Sequence, residues 1–378
     1  MKILVLVTDA FGGTGGIAQY TRDFIAAVAS YHNTESVTVI PRLITREPQP
    51  LPPRVNQLSE AATGKINFGF TAVRAAQRES FDWIVCAHIN LLPAAIIAAT
   101  ISRGRIILLT YGIEVWSPRN FFSRWLLRRV FGFVAISQIT IDRMRAWAEI
   151  PPRRSFLIPN AIDLSRYTPG PRNDALMSRW SLANRRVLLT VGRMDAAEQA
   201  KGFDEILEIL PSLRKEMPDI AYLAVGDGSD RARLQEKALR LGLKDNVFFP
   251  GYVDEGEKLD YYRLANVFVM PSRLEGFGYV FLEALAVGKP VIASKVDGSR
   301  EAVRMGAWGA LVDPTSSGEI VAAIREALLH PRVPPKSELE FFSISKFERR
   351  CHEALETLSR GTEAQTNSTA ALPIPTKT

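Results

Sequence analysis

The chain has 378 residues, 47% of them hydrophobic and 23% charged, with a net charge of +7 and a pI near 9.4. This composition is that of an ordinary globular protein, and the length predicts two domains of ~100–200 residues each. No apolar run reaches the ~18 residues of a membrane span, and the opening run MKILVLVTDA is too short for a signal peptide. The positive charge indicates an anionic partner, for which nucleic acid, acidic lipid and a phosphorylated substrate all qualify.

The cysteines and histidines indicate a compartment but no metal site. Cys86 and Cys351 lie far apart in the sequence, which favours a reduced compartment over a disulfide. The two cysteines and four histidines show no familiar metal-ligand spacing. The sequence therefore predicts a protein of the cytoplasm that holds no metal.

A glycine-rich loop joins the first predicted strand to a helix from about residue 17 to residue 30. Its sequence from Gly13, GTGGIA, fits the dinucleotide fingerprint G-x-G-x-x-A. The fingerprint requires an acidic residue at the end of the second strand, but that strand is followed by Pro41 and Arg42. NAD binding therefore stays an alternative, since such a loop backbone serves a phosphate equally well.

Two later predicted strands of the first half carry polar side chains at their carboxyl ends, where open α/β sheets bind ligands. The strand at 82–88 ends in His88, which is either a structural residue or a binding residue. The strand at 106–110 leads into Tyr111 and Glu114. Because tyrosine titrates at about 10, a general-base role for Tyr111 is in doubt.

An aromatic and basic segment, PRNFFSRWLLRRVF, occupies residues 118–131. Its aromatic side chains recur at helical spacing among arginines, and the residues concerned are Phe121, Phe122, Arg124, Trp125, Arg128 and Arg129. A basic amphipathic helix suits a membrane surface of anionic lipid, but a core-packed helix with a solvated basic face has the same pattern. No recognised nucleic-acid motif accompanies the charge, so nucleic acid is not expected as a partner. Peripheral membrane contact is our hypothesis for this segment.

The second half of the chain alternates strands and helices, which predicts a second parallel sheet. Gly192 and Arg193 follow one predicted strand, Lys201 lies just before the next helix, and Gly226 and Tyr252 follow the two strands after that. Arg193 and Lys201 as two surface cations would not by themselves indicate a binding site. Their positions after a buried strand and before a helix favour phosphate binding.

The most informative segment is 270–296, MPSRLEGFGYVFLEALAVGKPVIASKV, which predicts a strand, a glycine turn, a helix and a further strand. Glu275 lies before the helix and Glu283 within it, about 7 Å further along the axis at ~1.5 Å per residue. They are spaced for opposite ends of a ligand as large as a nucleoside diphosphate sugar. The amides of Phe277 and Gly278 at the helix start can meet a diphosphate. The plain alternative is an ordinary βαβ unit with two surface glutamates.

This segment resembles the E-x7-E segment of the retaining family-4 glycosyltransferases, and it fills nearly every fixed position of the pattern P-S-x-x-E-G-F-G-x4-E-A-x-A-x-G-x-P-V-I-A. The resemblance implies the GT-B fold, an α/β architecture of two Rossmann-like doubly wound parallel-sheet domains that face each other across a cleft. We predict an N-terminal domain at 1–165, a linker at 166–180, a nucleotide-sugar-binding domain at 181–335, a helix at 340–360 that crosses back to the first domain, and a disordered tail at 361–378.

The resemblance also implies roles for residues at matching positions. Glu275 would hydrogen-bond the donor sugar and Glu283 its ribose, while Arg193 and Lys201 would stabilise the leaving diphosphate. The other donor-binding positions would be Gly15, Gly16, Gly192, Gly226, Tyr252, Phe277 and Gly278. The acceptor side would contain His88, Tyr111 and Glu114, with Tyr111 standing where the family often has histidine.

We therefore predict a metal-independent retaining transferase that needs no cofactor and moves a hexose from a nucleotide sugar. The stretches VTDAFGGTGGIAQYTRD and TYGIEVW are similar to mannosyltransferases of xanthan- or acetan-type exopolysaccharide assembly, which favours GDP-mannose over a UDP-hexose. The acceptor would be a polyprenyl-diphosphate-linked oligosaccharide at the inner face of the cytoplasmic membrane. A sugar-nucleotide epimerase of the same architecture and a catalytically silent lipid- or nucleotide-binding protein remain alternatives.

Overall fold

The computed structural model describes residues 1–118 and 120–360, which form two compact units. The first unit contains residues 1–161 and 344–360, and the second contains Ile162–Ser343. Each unit has its own parallel β-sheet with helices between most successive strands, so the prediction of two Rossmann-like domains is confirmed. In the described part of the chain, no helix is both long enough and apolar enough to cross a membrane.

Thirteen strands and fifteen α-helices make up the described regular structure, apart from short 3₁₀ turns. The strands are β1 (Lys2–Val7), β2 (Ser36–Pro41), β3 (Val55–Gln57), β4 (Trp83–Cys86), β5 (Arg105–Thr110), β6 (Val130–Ala135), β7 (Ser155–Leu157), β8 (Arg186–Val191), β9 (Ile220–Val225), β10 (Val247–Gly251), β11 (Val267–Val269), β12 (Val291–Ser294) and β13 (Ala310–Val312). The helices are α1 (Gly16–Ser30), α2 (Lys65–Arg78), α3 (Leu92–Ser102), α4 (Ile113–Trp116), α5 (Phe121–Leu127), α6 (Gln138–Arg145), α7 (Asp174–Arg179), α8 (Phe203–Glu216), α9 (Arg231–Arg240), α10 (Lys258–Leu264), α11 (Tyr279–Ala286), α12 (Ser299–Ala302), α13 (Ser317–Leu329), α14 (Lys336–Leu339) and α15 (Ile344–Ser359).

The first unit is built on a seven-stranded sheet in the order β3-β2-β1-β4-β5-β6-β7. Strand β1 pairs in parallel with β2 on one side and β4 on the other, with Leu6 opposite Ile40 and Cys86. Its last five residues are fully buried, as expected for a central strand covered on both faces. Helices α2 and α3 pack against one face through a cluster that contains Phe68 and Leu92.

The second unit has a six-stranded parallel sheet in the order β10-β9-β8-β11-β12-β13. The order reverses at β8, because the chain winds outward from β8 to β10 and then returns to its other side at β11. In parallel sheets, ligands bind beyond the carboxyl ends of the strands at such a reversal. The carboxyl ends of β8, β9 and β11 are therefore where a ligand site is expected.

Helix α15 completes the first unit although it is last in sequence. It packs on α1, where the rings of Tyr20 and Phe347 meet edge to face with centroids 5.4 Å apart. The Tyr20 hydroxyl donates a hydrogen bond to the carbonyl of Ile158 at 2.8 Å. The predicted C-terminal helix thus exists and belongs with the first unit.

Some boundaries differ from the sequence predictions. The basic segment 118–131 is not one helix, because α5 ends at Leu127 and the β-branched and aromatic run from Val130 pairs with β5. Residues 166–180 belong to the second unit, where the Asn173 side chain donates to Asp260 at 2.9 Å. The predicted disordered tail, 361–378, lies outside the described residues.

We predict that Phe347→Ala lowers the free energy of unfolding by about 3–5 kcal/mol, since it opens a cavity beneath a ring that is 1% exposed. Urea unfolding followed by circular dichroism measures this loss. The matched control on the same helix is Arg349→Ala, which changes an exposed side chain and should alter stability by no more than about 0.5 kcal/mol. Equal losses in the two variants would show that α15 does not pack as described.

Candidate functional site

The strand-end loops of the second unit pack backbone against backbone. A Cβ atom on Gly226 would lie 1.8 Å from the carbonyl oxygen of Gly192, and one on Gly228 would lie 2.1 Å from that of Met194. The amide of Gly192 donates to Val225 at 3.0 Å, which fixes the two loops together. The two predicted donor-binding glycines, Gly192 and Gly226, are therefore neighbours, and only glycine fits at the second.

Glu275 and Lys201 form an ion pair at this edge of the sheet. The Lys201 Nζ lies 2.8 Å from the Glu275 carboxylate, and the two side chains are 20% and 17% exposed. Burial opposes the charge of Lys201, but Glu275 outweighs it and raises the pKa of the ammonium above its usual value. Lys201 is therefore a fixed positive charge at neutral pH, and it contacts Glu275, the other residue predicted to bind the donor.

Arg193 lines a small cavity together with Lys201. Its guanidinium lies 3.4 Å from Asp195 and 3.3 Å from Glu198, both within its own loop. The side chain is 65% exposed, so these pairs are weak and easily exchanged for another anion.

Glu283 is buried rather than lining an open surface. Its side chain is 6% exposed, and one carboxylate oxygen lies 2.9 Å from the Nζ of Lys258 on α10. The hydroxyl of Tyr262, also on α10, donates to the other oxygen at 2.5 Å. Burial opposes the charge of Lys258, yet the pKa of this lysine is raised, chiefly by Glu283. Neither Lys258 nor Tyr262 was identified from sequence, because no local pattern links α10 to α11.

The start of α11 offers an electropositive backbone. Gly278 caps the helix with φ +91°, and a Cβ there would lie 2.5 Å from the ring of Phe281, which requires glycine. Among the described residues, the main-chain N–H groups of Phe277 and Gly278 have no hydrogen-bond acceptor. With the helix dipole, these N–H groups are suited to an anion. The Phe277 ring itself is fully buried against Phe342.

Two further observations concern the rim of this unit. Tyr252, just after β10, is 48% exposed, so its ring is accessible to a planar ligand. Asp297, which the sequence analysis passed over, is fully buried and accepts a hydrogen bond from the amide of Glu275 at 2.9 Å. Among the residues that the structure describes, no three His, Cys, Asp or Glu side chains gather to hold a metal ion.

The predicted acceptor-side residues all lie in the first unit, after β4 and β5. The His88 Nδ1 accepts a hydrogen bond from the amide of Asn90 at 3.1 Å. Tyr111 is buried, its hydroxyl lies 2.9 Å from that of Thr21, and burial raises its pKa well above the usual range. Glu114 accepts from the Tyr111 amide. Tyr111 therefore stays protonated and serves packing, which agrees with the doubt about it as a general base.

The glycine-rich loop before α1 is held by Arg22, which donates to the carbonyls of Ala10 at 2.7 Å and Gly13 at 2.9 Å. Gly15 precedes the helix with φ +87°, and Gly16 is its first residue. Space around Gly15 is open, since a Cβ there would meet no atom within 4 Å. Its glycine requirement thus comes from the backbone angle and not from crowding.

Helix α5 exposes its aromatic side chains. Phe121, Phe122 and Trp125 are 84%, 57% and 45% exposed, while Leu126 and Leu127 face the core. The helix therefore packs on the core through its two leucines, as the core-packed alternative has it, while its aromatic rings lie exposed, and membrane contact stays a prediction.

Helices α2 and α3 extend this surface. Helix α3 packs between α2 and α5, and both neighbours carry exposed apolar side chains of their own. The exposed apolar residues of the two added helices are Ile66, Phe70, Ile97 and Ile101. None of the three helices contains an aspartate or glutamate. We call the exposed side of α2, α3 and α5 the three-helix face.

Comparison with known proteins gives two family matches, one in each half of the chain. The model described as "Glycosyl transferases group 1" matches residues 177–339, and the one described as "Glycosyltransferase Family 4" matches residues 14–166. The segment with both glutamates lies inside the first match.

Individual relatives are similar over part or most of the chain. The GDP-mannose-dependent alpha-(1-6)-phosphatidylinositol monomannoside mannosyltransferase of Mycolicibacterium smegmatis is 34% identical over 60% of this chain, and the match spans 62% of that relative's length. The GDP-mannose-dependent monoacylated alpha-(1-6)-phosphatidylinositol monomannoside mannosyltransferase of Corynebacterium glutamicum is 27% identical over 87% of this chain and 89% of its own. The crystal structure of Anabaena HepE with UDP and glucose has the same fold, with a TM-score of 0.75, 21% identity and coverage of 94% of this chain and 99% of its own.

We predict that Lys258→Ala destabilises the protein by about 3–5 kcal/mol at neutral pH, because it leaves the Glu283 carboxylate buried and unpaired. An unpaired buried carboxylate has a raised pKa, so the variant should regain stability as the pH falls through that value. Urea unfolding at several pH values measures both effects. The control, Lys295→Ala, breaks the exposed pair with Glu319 and should cost less than about 1 kcal/mol at every pH. A loss in Lys258→Ala as small as the control's would contradict the buried pair.

Proposed function

Because this chain belongs to the group 1 and family 4 glycosyltransferases, we propose that it transfers a hexose from a nucleotide-sugar donor to a lipid-linked glycan acceptor. The observation that carries this proposal is the Lys201–Glu275 pair, 2.8 Å apart, beside the unpaired amides at the start of α11. A partly buried cation, a carboxylate and a helix N-terminus together provide contacts for a diphosphate and for sugar hydroxyls.

The chemistry follows from where charge develops. Breaking the bond between the sugar C1 and the donor phosphate leaves a nucleoside diphosphate with one more negative charge. Lys201 and the amides of Phe277 and Gly278 offset that charge, and the exposed Arg193 adds to them once it exchanges its acidic partners for phosphate. Glu275 accepts hydrogen bonds from the sugar hydroxyls. The acceptor oxygen then bonds to C1, and its proton passes to the departing phosphate.

We propose that the anomeric configuration is retained, through attack on the same face from which the phosphate leaves. Neither Glu275 nor Glu283 is free to act as a nucleophile without losing a lysine partner. We also propose that no metal ion or other cofactor is required, since Lys201, Arg193 and the amides supply positive charge. Glu283 would reach the donor ribose only through its remaining lone pairs, because Lys258 and Tyr262 already engage both oxygens.

For the donor we propose GDP-mannose, with a UDP-hexose as the second choice. The support is that the relatives from Mycolicibacterium smegmatis and Corynebacterium glutamicum are both named as GDP-mannose-dependent mannosyltransferases. Both are also named for acceptors built on phosphatidylinositol, which supports a lipid-linked acceptor. A polyprenyl-diphosphate carrier and a place in exopolysaccharide assembly remain predictions from the sequence resemblance.

We further propose that the protein binds the inner face of the cytoplasmic membrane through the three-helix face. Helix α5 supplies exposed aromatic rings, and Arg129 lies over the ring of Trp125 at 5.8 Å. Arg124 on this helix and Arg128 and Arg129 just after it add positive charge beside these rings, and Arg128 also lies 3.9 Å from Glu149. Aromatic rings with cations suit the interface of an anionic bilayer. Such contact would place the protein beside its lipid-linked acceptor.

We predict that GDP-mannose stabilises the protein against unfolding by about 2.7 kcal/mol at ~100 times its dissociation constant, and that labelled mannose passes to a lipid-linked acceptor. Lys201→Ala should lower kcat by roughly 100- to 1,000-fold, as loss of one preorganised charge-stabilising group does. Lys215→Ala, an exposed lysine on α8, is the control and should keep full activity. Stabilisation and transfer with a UDP-hexose alone would overturn the mannose proposal. A protein that responds to no sugar nucleotide would overturn the transferase proposal.

For the membrane, we predict that the protein co-sediments with vesicles containing 30% phosphatidylglycerol at low salt and is released as salt screens the arginines. A triple change, Phe121→Ser with Phe122→Ser and Trp125→Ser, should weaken binding at least tenfold, since it removes the inserted rings. The matched control, Leu239→Ser with Leu329→Ser, alters exposed apolar residues of the second unit and should bind as before. Equal binding by both variants would exclude helix α5 as the contact.

A further inference from the structure

Asp297 occupies a buried position directly behind Glu275. It follows β12 and is fully buried, and its carboxylate accepts four hydrogen bonds. The Ser272 hydroxyl at 2.7 Å and the Glu275 amide at 2.9 Å donate to Oδ2. The Ser299 amide at 3.0 Å and its hydroxyl at 2.6 Å donate to Oδ1. The carboxylate therefore joins the loop after β11 to the loop after β12.

The next residue, Gly298, binds the other main-chain group of Glu275. Its amide donates to the carbonyl of Glu275 at 2.7 Å, so Asp297 and Gly298 fix both main-chain groups of Glu275. A Cβ on Gly298 would lie 2.0 Å from the carbonyl oxygen of Gly276, which leaves no room for another residue. We call this pair of contacts the Glu275 clamp.

We propose that Asp297 is a positioning residue, which acts through the Glu275 clamp to hold the Glu275 carboxylate where it meets the donor sugar and Lys201. This inference rests on the proposed role of Glu275 in transfer. The clamp needs a carboxylate, because the amides of Glu275 and Ser299 donate to different oxygens of Asp297. Asparagine has one acceptor oxygen and must leave one amide unpaired.

The surroundings make Asp297 sensitive to pH. The charged groups near it are Glu275 and Lys201 at the strand ends, and Arg300 and Glu301 on the adjoining helix α12. Burial raises the pKa of Asp297 to about 6, although its serine donors oppose the shift. When the Asp297 carboxylate is protonated, the proton occupies an oxygen lone pair that otherwise accepts one of the four hydrogen bonds. The clamp therefore loosens as the pH falls through about 6.

The test compares Asp297→Asn, Gly298→Ala and Ser299→Ala across pH 5 to 8. Asp297→Asn should lower kcat by roughly 30- to 100-fold while KM for the donor changes less than about threefold, since a misplaced group costs rate more than binding. The unaltered protein should show an inflection of kcat near pH 6, and Asp297→Asn should lose it. Gly298→Ala should lower kcat similarly but keep that inflection, because its carboxylate is intact. Ser299→Ala leaves both contacts to Glu275 in place and should stay within about threefold of the unaltered protein.

A second measurement needs neither donor nor turnover. In protein with ¹³C-labelled Asp and Glu carboxylates, the Glu275 resonance, assigned with Glu275→Gln, should move as Asp297 titrates near pH 6 and should not move in Asp297→Asn. Coupled resonances in a protein that transfers no sugar would refute the proposed function and keep the clamp. The positioning role would be refuted in an active enzyme if Asp297→Asn and Ser299→Ala had the same kcat. It would also be refuted if the Glu275 resonance did not move as Asp297 titrates.

Discussion

Each of the two glutamates in the α11 segment is neutralised by a lysine from another part of the second unit. Lys201 reaches Glu275 from the loop before α8, and Lys258 reaches Glu283 from α10. A buried carboxylate without a partner would be strongly destabilising, so the two lysines offset the cost of Glu275 in the loop after β11 and of Glu283 within α11.

The two pairs differ in what they leave available. The Lys201–Glu275 pair keeps roughly a fifth of each side chain exposed and lies beside unpaired amides, so a ligand can compete for both charges. The Lys258–Glu283 pair is more deeply buried and is joined by a tyrosine hydroxyl. Of the two glutamates in this segment, Glu275 is thus accessible to a ligand and Glu283 is enclosed. A ribose that contacts Glu283 would have to do so beside the contacts that Glu283 already makes with Lys258 and Tyr262.

The sequence allowed the sheets and the glycine turns to be predicted, because each depends on local pattern or on a motif. It assigned Lys201 and Glu275 to one donor site but did not predict that they contact each other. Buried β-branched runs identify parallel strands, and E-G-F-G before an apolar helix identifies the turn. Lys258, Tyr262 and Asp297 were missed for a common reason. Their roles arise from contacts between elements distant in sequence, and Asp297-Gly298 read alone is an ordinary turn dipeptide. Periodicity likewise could not decide which face of α5 is buried, since its leucines and aromatics share one short helix.

Asp297 shows a conflict between stability and site geometry. Its pKa in the folded chain, about 6, is above the ordinary value of 3.8, so the fold is favoured by protonation at this position. That contribution is fully present below pH 3.8, and it is lost as the pH rises through about 6. At neutral pH the protein therefore carries an ionised buried carboxylate that lowers its stability. A neutral side chain of similar shape would relieve that cost but would leave the Glu275 or the Ser299 amide without an acceptor. A charged Asp297 at this buried position is best explained by its hydrogen bond to the main chain of Glu275.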